Sequence, residues 1–274
     1  MALEYNATLI NRKTLYEGLD ILTVKPDFPL NAFKAGQFAT LGLLSQEPAF
    51  SGTTPPGSQD ANKMIRRAYS VASSPKHLDN LEFYIVLVPE GELTPRLFNL
   101  KVGAKLWMAP KITGKFILDD CPADKDVLMI ATGTGVAPYM SMIRTHFNSN
   151  QKRKFIVVHG VRIAGDLGYD EELKNYARQN KNFFYLPMVS RPKESPDWQG
   201  IAGRINDNIR GGILEKECGV VWDPKKLEVF MCGNPGMIQG IIDDLSKYGF
   251  TLDHGAERGT LHKEDYWWQT KLSF

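Results

Sequence analysis

Up to about residue 120 the apolar positions come in short runs rich in β-branched and aromatic side chains, among them Leu19-Asp20-Ile21-Leu22-Thr23-Val24 and the stretch from Leu81 to Val88. Such runs predict strands. Turn formers part them at Lys25-Pro26-Asp27, Ala35-Gly36-Gln37, Ser74-Pro75 and Val102-Gly103. Several short strands with little helix between them predict an antiparallel β-barrel. The segment from Ser45 to Asn62, with Pro48, Gly52, Pro55, Pro56 and Gly57, has no periodicity and predicts a mobile loop.

From about Asp126 the pattern changes. Strand-like runs at Asp126–Thr132, Phe155–His159, Phe183–Val189 and Leu227–Met231 alternate with amphipathic segments at Tyr139–Phe147, Glu171–Gln179, Gly203–Arg210 and Met237–Tyr248. Alternation of this kind implies right-handed βαβ crossovers and a doubly wound parallel sheet with helices on both faces. The polar, Pro-containing stretch Asp119-Asp120-Cys121-Pro122-Ala123-Asp124 separates the two patterns. It divides the chain into a barrel domain over 1–121 and an α/β domain over 122–274.

A chain of 274 residues with 43% hydrophobic and 23% charged residues can bury a core in each half, which excludes a mini-protein, a disordered chain and a coiled coil. The 33 Lys and Arg against 31 Asp and Glu leave a formal charge of +2, with no basic run, so a nucleic-acid partner is not expected. Cys121, Cys218 and Cys232 are isolated, without the paired spacing of an iron–sulfur or zinc site, and they suit a reducing cytoplasm. No metal is expected. Neither a signal peptide nor an apolar run of membrane-spanning length is visible.

Three groups of residues could carry chemistry. The predicted strand ending at Thr132 is followed by Gly133-Thr134-Gly135-Val136-Ala137-Pro138 and a helix. Glycines allow close backbone approach to a phosphate, and the helix start offers free N–H groups to it. Proline replaces the third glycine of the usual dinucleotide fingerprint, and on the residues alone pyrophosphate binding is favoured over a merely tight strand–helix turn, which stays the alternative. Arg162 and Arg191 end the next two predicted strands, and Arg204 follows shortly. In an open α/β sheet these ends converge, and several guanidinium forks there suit a 2′-phosphate, although three solvated surface arginines would look the same.

The third group is Arg66-Arg67-Ala68-Tyr69-Ser70-Val71-Ala72-Ser73-Ser74-Pro75. It resembles the flavin-binding signature of the ferredoxin–NADP reductase family, and bacterial flavodoxin/ferredoxin–NADP reductases most of all. The resemblance implies that Arg67, with Ala68, meets the FAD pyrophosphate, that the Tyr69 ring covers the flavin, and that Ser70 lies near its N5. Gly91-Glu92-Leu93-Thr94-Pro95-Arg96-Leu97 is similar to the second flavin-phosphate segment, which brings in Thr94. The run Thr132 to Pro138 resembles the nicotinamide-side loop, implying that Gly133 and Gly135 approach NADP(H) while Thr134 also touches flavin.

Cys232-Gly233-Asn234-Pro235-Gly236-Met237 is similar to the element that closes over nicotinamide, with Cys232 near the hydride path and Asn234, Pro235 and Gly236 on NADP. Without the resemblance, Cys232 is a small residue ending a strand and Asn234 a helix N-cap. Arg162, Arg191 and Arg204, with Val161 and Ser190, fall where the family holds the 2′-phosphate. Glu264-Asp265-Tyr266-Trp267-Trp268 resembles the aromatic terminus that covers FAD, Tyr266 and Trp267 matching best, and this chain runs on to Phe274.

Taken together the resemblance implies an FAD enzyme that exchanges electrons between NADPH and ferredoxin or flavodoxin, and the chain is expected to be cytoplasmic and monomeric. The reacting rings would meet where the two domains join, with Ser70, Tyr69 and Cys232 nearest the chemistry. The sequence pI of about 8.3 and basic residues such as Lys105, Lys111 and Lys115 suggest a docking face for an acidic carrier. Alternatives are an NADH-preferring flavin or oxygenase reductase, a siderophore-iron reductase on the same scaffold, and a non-catalytic flavin-binding module.

Overall fold

The computed structural model describes residues 4–57, 60–148, 152–255 and 257–265. The chain forms two compact units, one of residues 1–119 with 137–146, the other of 120–136 with 147–274.

The first unit contains β1 (Ala7–Tyr16), β2 (Leu19–Pro26), β3 (Phe38–Leu44), β4 (Met64–Ser70), β5 (Leu81–Val86), α1 (Thr94–Asn99) and β6 (Lys105–Met108). Its strands pair in the order β4-β3-β6-β1-β2-β5, every neighbour antiparallel. A bridge between Val71, just past β4, and Phe83 on β5 joins the two ends of that order and closes the barrel. Inward positions such as Leu9, Leu22, Leu41, Leu43, Leu81 and Phe83 are fully buried and make the core. Helix α1 is an element the run pattern does not predict. Arg12 on β1 caps its end, donating from its guanidinium to the carbonyls of Leu97, Phe98 and Leu100 at 2.7–3.1 Å.

The segment expected to be a mobile loop makes several hydrogen bonds in its described parts. Ser45 Oγ donates to the Asp60 carbonyl at 2.5 Å, Thr54 N–H to the Pro89 carbonyl at 3.0 Å, and the buried Arg96 guanidinium to the Ser45 carbonyl at 2.7 and 3.1 Å.

Helix α2 (Ala137–His146) belongs to this first unit although it lies within the α/β half of the sequence. Ser141 Oγ donates to the Ser73 carbonyl at 2.7 Å, and Arg144 reaches the Ala72 carbonyl at 3.0 Å and the Glu82 carboxylate at 2.7 Å. Ser74 and Thr145 hydroxyls bond at 2.8 Å.

The second unit holds β7 (Asp126–Thr132), β8 (Phe155–Val161), α3 (Asp170–Gln179), β9 (Phe183–Val189), β10 (Ile201–Ala202), α4 (Ile205–Arg210), α5 (Ile213–Cys218), β11 (Leu227–Cys232), α6 (Pro235–Leu245) and β12 (Leu261–Glu264). The sheet runs β10-β9-β8-β7-β11-β12, all parallel. Its central strands β7, β8 and β11 are almost wholly buried, which is why they read as continuous apolar runs. The order reverses between β7 and β11, which places the switch point between the turns that leave those strands.

Candidate functional site

Each unit carries part of the residue set singled out in the sequence. In the second unit the turn at 133–136 is a short 3₁₀ segment between β7 and α2. Gly133 adopts φ +53, and nothing lies within 4 Å of where a Cβ would stand. Gly135 is the opposite case, because a Cβ there would strike the carbonyl oxygen of Cys232. The two turns at the switch point are therefore in backbone contact. Thr132 Oγ1 strengthens the junction by accepting the Asn234 N–H at 2.7 Å.

On the other side of the same turn His159, fully buried on β8, meets the Gly133 carbonyl at 2.9 Å through Nε2. A carbonyl can only accept, so Nε2 carries the proton and Nδ1 is the bare nitrogen, buried without a partner. Burial drives the His159 pKa down to about 4, against the opposing pull of the Gly133 carbonyl and of Asp170. The ring is thus neutral at physiological pH. The sequence patterns give no role to the His159 ring or the Thr132 hydroxyl, since their partners, Gly133 and Asn234, lie in turns that follow other strands.

The arginines end successive strands. Arg162 follows β8 and Arg191 follows β9; the Arg191 N–H donates to the Arg162 carbonyl at 2.9 Å, and Ser190 N–H to the Val161 carbonyl at the same distance. Arg204 follows β10, which pairs with β9 through Ala202 and Val189. All three side chains are exposed, Val161 is buried beneath them in the sheet, and Ser190 is half-buried. Arg162 leans on Asp166 and Arg191 on Glu194, each at 3.5 Å. At 3.5 Å these contacts are loose, and the exposed guanidinium forks stay available to a stronger anion.

At the end of β11, Cys232 is fully buried. Asn234, Pro235 and Gly236 are exposed at the start of α6. Asn234 Oδ1 accepts the Met237 N–H at 3.1 Å, so the N-cap reading of this residue is realised.

In the first unit, β4 places Arg67 and Tyr69 on one face and Ala68 and Ser70 on the other. Ser70 is buried, Tyr69 half-buried, and Arg67 and Ala68 are exposed. Desolvation raises the Tyr69 phenol well above its ordinary value, with Arg67 opposing, so it is a protonated ring at any working pH. Arg67 pairs with Glu92, which also draws Lys63 at 3.4 Å. The Arg67 hydrogen bond, with Arg67 and Lys63 nearby, holds the Glu92 carboxyl below its usual range against a weaker desolvation effect. Thr94, first residue of α1, uses Oγ1 both to accept from the Val88 N–H at 3.0 Å and to donate to the Val88 carbonyl at 3.1 Å. Tyr266 and Trp267 lie outside the described residues.

The donor set fits phosphate-bearing dinucleotides. The second unit offers an open glycine turn at a sheet switch point and three guanidinium groups at neighbouring strand ends. The first offers one exposed guanidinium beside a planar ring and a helix-start threonine.

Comparison with known proteins agrees with that chemistry. Residues 129–243 match the family model described as the oxidoreductase NAD-binding domain. The chain is 32% identical over 250 residues to a flavodoxin/ferredoxin–NADP reductase of Buchnera aphidicola (subspecies Baizongia pistaciae), covering 90% of this chain and 93% of that protein. It is 32% identical to the enzyme of the same name from Escherichia coli K12, covering 77% and 78%. Among solved structures, a ferredoxin NADP+ reductase from Neisseria gonorrhoeae with bound FAD and NADP superposes with a TM-score of 0.80 at 22% identity, over 96% of this chain and 98% of that one.

Proposed function

Because the chain belongs to the ferredoxin/flavodoxin–NADP reductase family, we propose that it is an FAD-dependent oxidoreductase moving electrons between NADPH and a one-electron carrier, ferredoxin or flavodoxin. When bound, the flavin supplies the exchange between a two-electron hydride and single electrons; the chain supplies binding, orientation and electrostatics.

In this reading Arg67, with the backbone at Ala68, takes the FAD pyrophosphate. Tyr69 presents its ring to the isoalloxazine, Ser70 offers a hydroxyl near N5, and Thr94 completes the phosphate side. Gly133 and Gly135 let the backbone approach NADP, with Thr134 between the two cofactors. Arg162, Arg191 and Arg204, on the frame of Val161 and Ser190, hold the 2′-phosphate. Asn234, Pro235 and Gly236 close over nicotinamide, Cys232 lies behind them, and Tyr266 and Trp267 cover the flavin. These roles require no general base on the protein. The observation that supports NADP over NAD most directly is the Arg191 to Arg162 backbone bond, which sets two of the three guanidinium groups on adjacent strand ends.

We further read the protein as a cytoplasmic monomer without a nucleic-acid partner; among the described residues no helix is long and apolar enough to cross a membrane. The basic residues suggested for carrier docking, Lys105, Lys111 and Lys115, are all exposed, Lys105 pairing at the surface with Asp27 at 2.7 Å. The docking face is read to include these three, with a rate that falls as ionic strength rises. The reading is tested by anaerobic absorbance titration of the purified protein. Flavin bleaching at far lower NADPH than NADH is expected; a colourless protein, or a flavin that neither nucleotide reduces, overturns it.

A further inference from the structure

At the amino-terminal ends of the second sheet, away from the strand ends that carry the nucleotide residues, three side chains meet that lie far apart in sequence. Cys121 precedes β7, Glu228 is the second residue of β11 and His262 the second of β12. All three are buried, and their Sγ, carboxylate oxygen and ring nitrogen lie within 4.8 Å of one another. We propose that Cys121, Glu228 and His262 form a binding site for a borderline-soft divalent transition metal, zinc being the best fit, which pins β11 and β12 to the segment leading into β7.

The surroundings of the three donors are those of a metal centre. His262 Nδ1 is held by the Asp253 carboxylate at 2.7 Å, which fixes the ring and turns Nε2 toward Cys121 and Glu228. A carboxylate behind a ligating imidazole is the usual outer partner of zinc. Glu228 divides its oxygens: Oε1 accepts from Lys125 Nζ at 2.7 Å, and Oε2 faces His262 Nε2 at 2.7 Å. The carboxylate is thereby oriented with one oxygen toward the metal position. Phe230 packs on the imidazole, ring centroids 4.5 Å apart, and excludes water from that side.

A cation already occupies the mouth of the cluster. Arg258 Nη2 lies 2.8 Å from Cys121 Sγ and 3.5 Å from His262 Nε2, between two of the proposed ligands. Its side chain is 30% exposed, and its Nη1 stands 3.9 Å from Asp120, which can receive it on withdrawal. In the described state both imidazole nitrogens face carboxylates, and the guanidinium donates to the Cys121 sulfur. With metal bound, the Nε2 proton and the thiol proton leave to solvent. The metal's two positive charges then stand with Lys125 and the nearby Arg153 against Glu228, Asp253 and the thiolate, while Arg258 pairs with Asp120. Zinc–ligand bonds of ~2.0–2.3 Å require the three donors to adjust by about an ångström, and the position vacated by Arg258 serves a fourth, solvent ligand.

The test uses untagged, flavin-loaded full-length protein stripped of metal by chelator and dialysis. Cobalt(II) is titrated in, followed as a difference spectrum to the red of the flavin absorbance, and zinc(II) is then added to displace it. Expected are tetrahedral cobalt bands saturating at one equivalent per chain, discharged by zinc, together with a raised melting temperature in zinc. Cys121→Ser abolishes the bands, Asp253→Asn weakens zinc by about 10–100-fold, and Arg258→Ala binds more tightly than the parent. Arg258→Ala keeps all three ligands, so it tests the site even where Cys121→Ser fails to fold. Absence of a one-equivalent cobalt spectrum in both the parent and Arg258→Ala, or bands that survive in folded Cys121→Ser, overturns the proposal.

Discussion

His159 donates its Nε2 proton to the carbonyl oxygen of Gly133 at 2.9 Å, a bond from the centre of one buried strand to the turn that leaves its neighbour. His159→Leu removes the donor and leaves that carbonyl unanswered, at a cost of about 1–3 kcal/mol in stability. NADPH binding weakens with it because the glycine turn loses its anchor. His159→Gln, which restores a donor near the Nε2 position, recovers much of both. Thermal melting and nucleotide titration of the two variants, side by side, decide the matter; equal behaviour would remove His159 as the anchor.

The same imidazole sets an acid limit. Its pKa is near 6.5 in the unfolded chain and about 4 when buried, so the unfolded state takes up the proton first as pH falls. Its contribution is therefore fully present above pH 6.5, declines between 6.5 and 4, and is gone below 4. The loss amounts to on the order of 3 kcal/mol. Urea midpoints measured from pH 7 to pH 4 should fall more steeply in the parent than in His159→Gln. Parallel curves would show that another group governs the acid side.

Arg191→Ala should loosen NADPH by about 1.5–3 kcal/mol, the worth of a charge-assisted bond, and leave NADH almost untouched. A 2′-phosphate is the only difference between the two nucleotides, so their ratio isolates the contact. Losses of equal size for both would contradict the assignment of the strand-end arginines.

Glu92 competes for Arg67. Since the carboxylate and the guanidinium are paired in the described structure, a pyrophosphate taken by Arg67, as proposed, would compete with Glu92 for it. Glu92→Gln is expected to tighten FAD and flatten the salt dependence of its binding, and Arg67→Ala to weaken it by about 1.5–3 kcal/mol. Fluorescence titration of apoprotein with FAD reads both changes. A weaker FAD complex in Glu92→Gln would mean that the carboxylate assists binding.

Gly135→Ala would push the turn after β7 away from the Cys232 carbonyl. Both turns at the switch point should suffer, with melting lowered by several degrees and NADPH affinity reduced more than tenfold, an effect of about 1.4 kcal/mol or larger. Unchanged nucleotide affinity in a folded Gly135→Ala protein would show that the close approach is unimportant to the site.

The α/β half was the more legible. Buried parallel strands must be apolar on both faces, so Asp126–Thr132 and Phe183–Val189 were bounded correctly from composition alone. Short or half-polar elements escaped: α1 at Thr94–Asn99, the two-residue β10, α5 at Ile213–Cys218, and β12, whose Leu-His-Lys-Glu gives no apolar run. The helix expected from Met237 begins at Pro235, because the Asn234 side chain caps it, and its last turn tightens at Ser246–Tyr248. Arginines at strand ends could be placed from topology. The bonds made by His159 and Thr132 could not, since each depends on which strand lies next door. Likewise Cys121, Glu228 and His262 show no ligand spacing along the chain, and only the parallel register of β11 with β12 brings the last two together.

Helix α2 has a consequence for how the protein is made. Residues 1–119 emerge first, yet the hydroxyl that meets the Ser73 carbonyl and the guanidinium that meets Glu82 arrive only with Ser141 and Arg144. The nascent barrel therefore waits for a stretch encoded after the opening strand of the second unit, and it cannot finish as an autonomous amino-terminal body during translation. For the same reason no single cut yields two intact halves: a gene fragment ending at 121 would encode the barrel strands and α1 without α2.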